Sequence, residues 1–500
     1  MSSIVQNPSA VNKRLPIGLF VALFFAIVIA TLYYAPSWGL MDDKGFLDMA
    51  VTYWQDPSKT EVVTCDFKAA GMYRPVVFIW ATIFYKIFEQ WPTGLYVLIA
   101  AGNMAAMLLW GLVFYRFFNV RPQDRYWTIF FFPLTFFLFT PFWNIFTYLS
   151  VQEKFIVFLA PLALILFQKT YIAPRPRDMI LLYLIVVVGM LSKATFIFVP
   201  VAMFVYAFLD LIFFRPRAAI SVQHLVIYGA SLAYYAFYTV TSQLTGDYTA
   251  KFKSGLTVGG LIGKILGATM LTKVLLAIGI AGFMVYFVRA VRSNKREYLF
   301  PGLIYCGLIV YLVLLFLWGL YSYLLSALAP MVLGAMFPVY RWVCGRNETA
   351  KWSVNVIITV LLCCVFAGNI VPSISRMGDI GRSIAFLTAQ EGAATDIYFM
   401  PPGYVETVDR AKKFTGKKII HCGEGRITAD MLSVQGKTYV MLIDLLPSIE
   451  LSGVKTQDRV YANGTWEIYE LVPAPGHEEK FKVVFKKTWL QELKVRIRDM

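Results

Sequence analysis

The chain has 500 residues, of which 58% are hydrophobic and 15% charged, and its mean hydropathy is +0.62. Soluble globular proteins carry far more charge, so this composition excludes an ordinary soluble fold for most of the chain. The net charge of +16 does not indicate a nucleic-acid-binding protein, which would concentrate positive charge on a soluble face. From Arg376 onward, where the chain looks soluble, 18 Lys and Arg are nearly balanced by 16 Asp and Glu. The remaining positive charge lies mostly in short loops between apolar runs, as the positive-inside rule describes.

Apolar runs recur from Leu15 to about residue 370. At about twenty residues each, they are long enough to cross the hydrocarbon core of a bilayer. The basic loops between them, placed in the cytoplasm, fix the direction of each span and put the N-terminus in the cytoplasm. The sequence therefore predicts a polytopic α-helical membrane protein with about eleven spans. The predicted spans are 16–36, 94–115, 126–146, 154–170, 179–193, 195–214, 221–242, 271–289, 298–318, 322–340 and 353–372.

The membrane domain is predicted over 1–373, and its longest loop, 37–93, lies outside the cytoplasm. Within that loop the apolar stretch 75–88 does not fit the alternation of spans, because a crossing there would move every later basic cluster outside. The stretch is short and contains Lys86, so we interpret it as an interfacial or re-entrant helix; a short true span is the alternative. The first apolar run lacks a convincing small-x-small cleavage site and is long, so we interpret it as a span instead of a signal peptide.

Adjacent carboxylates, Asp42 and Asp43, open the long outer loop directly after the first span, and Lys44 follows them. Two acids so close to the membrane surface lie in a medium of low dielectric, which suits a general base or a metal ligand. The alternative interpretation is a pair of solvated loop aspartates that cap a short helix.

Further charged residues fall on the same outer face by topology. Glu153 and Lys154 begin the fourth span, and Lys193 closes the fifth. In such a group the lysines can hold an anionic phosphate headgroup, and the acids can activate an acceptor. Both residues also have an alternative interpretation without a role in function. Glu153 would interact favourably with the positive end of its helix dipole, and Lys193 would be an ordinary anchor at the membrane interface. The aromatic residues predicted on this face are Trp318, Tyr321 and Tyr323.

The order of these motifs resembles the GT-C superfamily of membrane glycosyltransferases, which includes protein O-mannosyltransferases and lipid A aminoarabinose transferases. Met41-Asp42-Asp43 corresponds to the acidic pair of the first outer loop, and Tyr73-Arg74-Pro75 corresponds to its Arg-Pro element. Glu153 corresponds to a second acidic position, and Ser192-Lys193-Ala194-Thr195 to a Ser-Lys-x-Thr segment. Tyr321-Ser322-Tyr323 with Pro330 corresponds to the aromatic entry of a late span.

The resemblance covers most of 16–340, with two departures. Asp43 stands where many members have Glu, and Ser322 stands where a basic residue is frequent, so phosphate binding must come from elsewhere. Size, span count and an outer C-terminal domain add a narrower similarity to the O-antigen glucosyltransferases of serotype-converting systems.

The resemblance implies a bacterial inner-membrane enzyme that moves a sugar from a polyprenyl-phosphate donor to an extracytoplasmic acceptor. That acceptor is a glycan such as O-antigen or lipopolysaccharide, a lipid-linked saccharide or a protein hydroxyl. Asp42 or Asp43 would act as general base, and Glu153 would orient the acceptor or assist that base. Whether a divalent cation, Mg²⁺ or Mn²⁺, binds at the acidic pair stays open, and the alternative function is a lipid or glycolipid flippase. The residues implied in phosphate binding are Arg74, Lys193 and Lys154, and those implied in substrate binding are Lys44, Tyr73, Trp318, Tyr321 and Tyr323.

The C-terminal part, 374–500, reads as a soluble extracytoplasmic α/β domain, because short apolar runs alternate with charged stretches. The sequence predicts helices over 381–390 and 404–414, strands over 396–400, 418–421 and 439–443, and a hairpin over 460–472 turned at Asn463-Gly464. Of the six cysteines, only Cys65 and Cys422 fall on the outer side, where they either form a disulfide or remain two free thiols.

Overall fold

The structure is a computed structural model. Its described residues are 8–36, 50, 53–54, 56, 75–88, 91–147, 153–214, 218–243, 263, 267–318, 327–345, 348–375, 378 and eight strands between 397 and 483. The helices are α1 Pro8–Tyr34, α2 Pro75–Phe88, α3 Pro92–Phe117, α4 Glu153–Ile172, α5 Pro176–Ser192, α6 Phe198–Phe213, α7 Ala218–Gln243, α8 Met270–Ser293, α9 Leu299–Trp318, α10 Ala329–Cys344 and α11 Glu348–Val365.

Seven helical segments of the described chain are long and apolar enough to cross a membrane. This makes the chain a multi-pass membrane protein. Two more predicted spans correspond to α5 and α10, which have 17 and 16 residues, and a third corresponds to α7. The total of eleven spans stays a prediction. The seven segments are Arg14–Tyr34, Pro92–Phe117, Glu153–Ile172, Thr195–Phe213, Met270–Ser293, Arg296–Phe316 and Thr349–Ser375.

The stretch predicted as a span over 126–146 is not one continuous α-helix. It consists of a π-helical turn over Trp127–Phe131, two 3₁₀ segments over Phe132–Leu138 and Thr140–Trp143, and a short α-helix over Asn144–Thr147. Proline lacks a backbone N–H, so Pro133 and Pro141 each remove a hydrogen bond that a regular helix needs. The hydropathy of the stretch gave no warning of this break, because most of its residues are apolar or aromatic and none is charged.

Helix α2 is a separate 14-residue helix within the stretch 37–93, which the sequence predicts to be an outer loop. At 1.5 Å per residue it rises about 21 Å, less than the ~30 Å thickness of the hydrocarbon core. Trp54 Nε1 donates a hydrogen bond of 3.0 Å to the Thr82 carbonyl in this helix. Lys86, near its end, is exposed. An interfacial or re-entrant position for this helix stays a prediction.

The basic loops meet at one end of the helices, which we call the basic end. There Arg341 Nη1 donates a 2.7 Å hydrogen bond to the Phe118 carbonyl, and Lys351 Nζ lies 3.0 Å from Asp124 Oδ1. Tyr171, at the far end of α4, lies within electrostatic reach of Arg296, so α4 also reaches the basic end. Twenty residues of α-helix span about 30 Å, so Glu153, the first residue of α4, lies at the opposite end. We call that opposite end the site end.

Eight strands are described in the C-terminal part. A five-stranded sheet has the order β2-β1-β4-β7-β6, with β1 parallel to β2 and β4, and a three-stranded sheet has the order β3-β5-β8. Strands β1, β2 and β4 lie where the sequence predicted strands, and β6 and β7 form the predicted antiparallel hairpin, with Asn463 opposite Trp466. The predicted helices 381–390 and 404–414 lie outside the described residues, as do Gly464, Cys65 and Cys422. The α/β class and the boundary near 373 therefore stay predictions. The strands are β1 Ile397–Met400, β2 Lys418–His421, β3 Arg426–Ile427, β4 Thr438–Ile443, β5 Ile449–Ser452, β6 Val454–Asn463, β7 Trp466–Pro473 and β8 Lys480–Val483.

Candidate active site

Glu153 is held at the start of a helix that is fixed to its neighbour. An acidic residue in the first turn is stabilised by the positive end of the helix dipole. One turn further on, the Val157 carbonyl accepts a 2.9 Å hydrogen bond from Nε1 of the buried Trp110 on α3. On the same helix α3, Asn103 Nδ2 donates a 2.8 Å bond to the Ile145 carbonyl. These two bonds fix the chain on both sides of Glu153 to α3.

Lys193 lies at the break between two helices. Helix α5 ends at Ser192, and the backbone of Lys193 is extended, with φ −155° and ψ 127°. A 3₁₀ turn over Ala194–Ile197 then leads into α6. The break is anchored by the Lys193 N–H, which donates to the Gly189 carbonyl at 3.1 Å. A methyl group on Gly189 would overlap the ring of Phe196, so the turn requires glycine at this position.

The side chains of these two residues form a buried ion pair. Lys193 Nζ lies 2.9 Å from Glu153 Oε1, and the two side chains are 7% and 1% exposed. Burying two charges costs several kcal/mol per ion. The presence of this buried ion pair is therefore not explained by a contribution to the stability of the fold alone. Within the described part of the chain, Glu153 Oε2 is buried and accepts no hydrogen bond. That oxygen is therefore chemically suited to accept a hydrogen bond from a hydroxyl group.

A second buried lysine follows Glu153 directly. Lys154 is 7% exposed, and its Nζ lies 5.4 Å from the centroid of the Trp80 ring on α2. The same ring contacts Phe155 edge to face, with centroids 5.6 Å apart. A cation over the face of tryptophan is attracted by the ring quadrupole. Helix α2 is thereby joined to the start of α4.

Two more polar side chains lie around the ion pair. Tyr311 on α9 is fully buried and interacts electrostatically with Glu153, and Thr195 in the 3₁₀ turn is 5% exposed. Thr195 belongs to the Ser-Lys-x-Thr motif. Tyr311 was missed by the sequence analysis, because a tyrosine inside a long apolar run has no feature that separates it from a packing residue.

The side chains of the remaining predicted site residues lie outside the described part of the chain. Trp318 is the last residue of α9, and its side chain lies outside the described residues. Among the described side chains, no three His, Cys, Asp or Glu lie close enough together to hold a metal ion. The predicted residues that lie wholly outside the described ranges are Asp42, Asp43, Lys44, Tyr73, Arg74, Tyr321 and Tyr323.

A separate buried polar cluster lies toward the basic end. Ser221 Oγ donates a 2.7 Å hydrogen bond to Asp210 Oδ2, and Arg296 Nη1 lies 4.0 Å from Asp210 Oδ1. Next to it, His224 Nδ1 is 3.1 Å from the Tyr228 hydroxyl. This Asp210 cluster joins α6, α7 and the turn before α9 far from Glu153, so we interpret it as a structural element.

No protein-family model and no curated protein matches this chain. Among solved structures, the chain is similar to ArnT from Cupriavidus metallidurans bound to undecaprenyl phosphate, with 12% identity over 91% of this chain and 97% of that one and a TM-score of 0.43. It is also similar to the Archaeoglobus fulgidus oligosaccharyltransferase in complex with Zn and sulfate, with 12% identity over 83% and 67% of the two chains and a TM-score of 0.40. The same oligosaccharyltransferase tethered to an acceptor peptide with the NVT sequon is 10% identical over 85% of this chain and 69% of that one, with a TM-score of 0.41. At these TM-scores the likenesses carry no argument about function.

Proposed function

We propose that this chain is a membrane glycosyltransferase that moves a sugar from a polyprenyl-phosphate donor to an extracytoplasmic hydroxyl group. The observation that supports this most is the buried Glu153–Lys193 ion pair with Lys154 beside it, at the end of the helices opposite the basic loops. The motif that begins with Ser192 and the acidic position at Glu153 are separated by about forty residues of sequence, and they meet in the fold. A carboxylate and two ammonium groups form a polar site at the end of an otherwise apolar helix bundle.

The reaction is a single displacement. Asp42 or Asp43 takes the proton of the acceptor hydroxyl while its oxygen attacks the anomeric carbon of the donor sugar. The bond between that carbon and the phosphate oxygen breaks, and the polyprenyl phosphate leaves with the electron pair. One displacement inverts the anomeric configuration, so a single general base suffices.

The lysines act on the departing phosphate. Its negative charge grows in the transition state, and cations already positioned beside it lower the energy of that state. In this proposal Lys193 and Lys154 bind the phosphate together with Arg74, which directly precedes α2. Glu153 holds Lys193 in place through Oε1 and orients the acceptor through Oε2. The residues proposed to contact the substrates further out are Lys44, Tyr73, Trp318, Tyr321 and Tyr323.

The acceptor in this proposal is a glycan such as O-antigen or lipopolysaccharide, outside the cytoplasm of a bacterium. The domain over 374–500 would lie on the same side and shape the choice of acceptor. The donor's lipid tail would lie between the spans. If a divalent cation takes part, Asp42 and Asp43 are its proposed ligands.

Transfer of labelled sugar from a polyprenyl-phosphate donor, measured in membranes at equal expression, tests the proposal. Asp42→Asn and Asp43→Asn are compared with Glu297→Gln, which changes an exposed acid at the basic end. We expect one of the first two variants to lose transfer by at least a hundred-fold, as removal of a general base does, while donor binding survives. The control should keep wild-type transfer.

If both aspartate variants transfer normally, the acidic pair is only a loop feature and the proposed mechanism is wrong. A chain that moves labelled lipid across vesicle membranes but transfers no sugar would be a flippase, and the glycosyltransferase proposal would then be given up.

A further inference from the structure

A groove lies between three helices at the basic end. It has a volume of about 380 Å³ and is lined by Phe118, which follows α3, by Tyr286 of α8, and by residues of α10 and its end. The α10 side contributes Pro338, Arg341, Trp342 and Gly345. The groove therefore has apolar and aromatic walls and a cation between them.

Arg341 is the central residue of this groove. One of its N–H groups donates to the Phe118 carbonyl at 2.7 Å, which fixes the guanidinium between α3 and α10. Among the acids that the structure describes, none forms an ion pair with Arg341. An arginine has five N–H donors in a planar fork that matches the oxygens of a phosphate group. The guanidinium thus keeps donors that a second, anionic group can use.

Other cations surround the same corner. Arg121 Nη2 would lie 3.9 Å from a methyl group placed on Gly345, and Lys351 lines the adjoining cleft with Arg341. Among the described side chains of this corner, one acid, Asp124, lies 3.5 Å from Arg121 and 3.0 Å from Lys351. The described charges of this corner are three cations and one carboxylate, so their balance is positive.

The walls suit an acyl chain next to that charge. Trp342 is 60% exposed, and tryptophan and tyrosine are the residues that favour the level of lipid headgroups. Basic pockets between transmembrane helices bind anionic lipid headgroups. We propose that this groove binds one anionic phospholipid from the leaflet at the basic end, with its phosphodiester on Arg341 and Arg121 and an acyl chain along Tyr286 and Trp342. The proposal is independent of the catalytic site.

The test uses the purified full-length chain in nanodiscs of phosphatidylcholine with or without phosphatidylglycerol. Retained lipid is counted by native mass spectrometry for the wild type, Arg341→Gln, Arg341→Lys and Arg121→Gln. We expect the wild type to retain phosphatidylglycerol over phosphatidylcholine, and loss of one arginine to lower that preference about five-fold. Arg341→Lys keeps the charge and should retain more phosphatidylglycerol than Arg341→Gln.

The matched control is Arg177→Gln, an exposed arginine in the first turn of α5 that lies outside the groove. Equal retention of both lipids, or an equal loss in Arg177→Gln, would overturn the proposal. If Arg341→Gln does not fold, Arg121→Gln decides alone, since its side chain is 55% exposed and carries little packing. Release of phosphatidylglycerol by millimolar inorganic phosphate would show a free-phosphate site and would also overturn it.

Discussion

Lys193 Nζ and Glu153 Oε1 lie 2.9 Å apart in a buried ion pair that joins the start of α4 to the break between α5 and α6. Such a pair has two explanations that make different predictions. A structural pair can be replaced by uncharged side chains of similar shape with little loss, whereas breaking it from one side leaves a buried charge without its partner. A pair that binds substrate is needed in its charged form, whatever the stability.

The first prediction separates these explanations with Glu153→Gln, Lys193→Met and the double variant. Each single change should lower the free energy of unfolding by about 3–5 kcal/mol, because one charge stays buried. The double variant should recover most of that stability and still transfer no sugar. Thermal unfolding in detergent and transfer in membranes are measured on the same preparations. Full transfer by the double variant would show that the pair is structural only.

The sequence located much of this site without giving its contacts. Alternation of spans predicted that Glu153 and Lys193 face the same side, and the ion pair confirms that they meet at one end of the helices. Their roles stay predictions, and so do those of Asp42 and Asp43. The contact between Lys154 and Trp80 could not be predicted, because it depends on how α2 lies against α4, and hydropathy reports only that both helices are apolar.

The irregular helical segment over 127–147 was not predicted from hydropathy. Hydropathy measures how apolar a stretch is, and 126–146 is apolar enough for a span. Whether it forms a regular helix depends on local backbone hydrogen bonds, which Pro133 and Pro141 interrupt. The two prolines are therefore the feature of the sequence that indicates the break. By contrast, the strands β1, β2 and β4 were found from short β-branched and aromatic runs, since such runs fit a pleated sheet.

The second prediction concerns Trp80. Trp80→Leu removes the aromatic face under Lys154 and should weaken the hold on that ammonium by about 0.5–2 kcal/mol. If Lys154 binds donor phosphate, KM for the donor should rise roughly two- to thirty-fold with a smaller change in kcat. Trp80→Phe should show a smaller effect. The control is Lys86→Met. It removes a second lysine–tryptophan contact of α2, in which Lys86 Nζ lies 5.8 Å from the centroid of the Trp54 ring, and it should leave KM for the donor unchanged.

The third prediction concerns the Asp210 cluster. Asp210→Ala leaves the Ser221 hydroxyl and the Arg296 guanidinium without their buried partner, which should lower the free energy of unfolding by about 1–3 kcal/mol. Ser221→Ala should cost less, because Arg296 then keeps its counter-charge. Thermal unfolding of the two variants is compared with Glu297→Gln, an exposed acid nearby. Since the cluster lies about 30 Å from Glu153, KM for the donor should not change in protein that stays folded; a specific rise in KM would contradict the structural interpretation.

The fourth prediction uses two glycines of one helix. A methyl group on Gly111 of α3 would overlap the backbone of Ile129, and backbone atoms cannot move aside as a flexible side chain can. Gly111→Ala should therefore push the irregular segment away from α3 and lower the free energy of unfolding by about 1–3 kcal/mol.

Gly102, nine residues earlier on α3, is the matched control, because a methyl group added there would have no atom within 4 Å. Gly102→Ala should be neutral or stabilise the chain by up to ~1 kcal/mol, because alanine favours helices over glycine. Thermal unfolding of both variants in one detergent measures the difference, and equal stability would show that the segment over 127–143 does not pack on Gly111 as described.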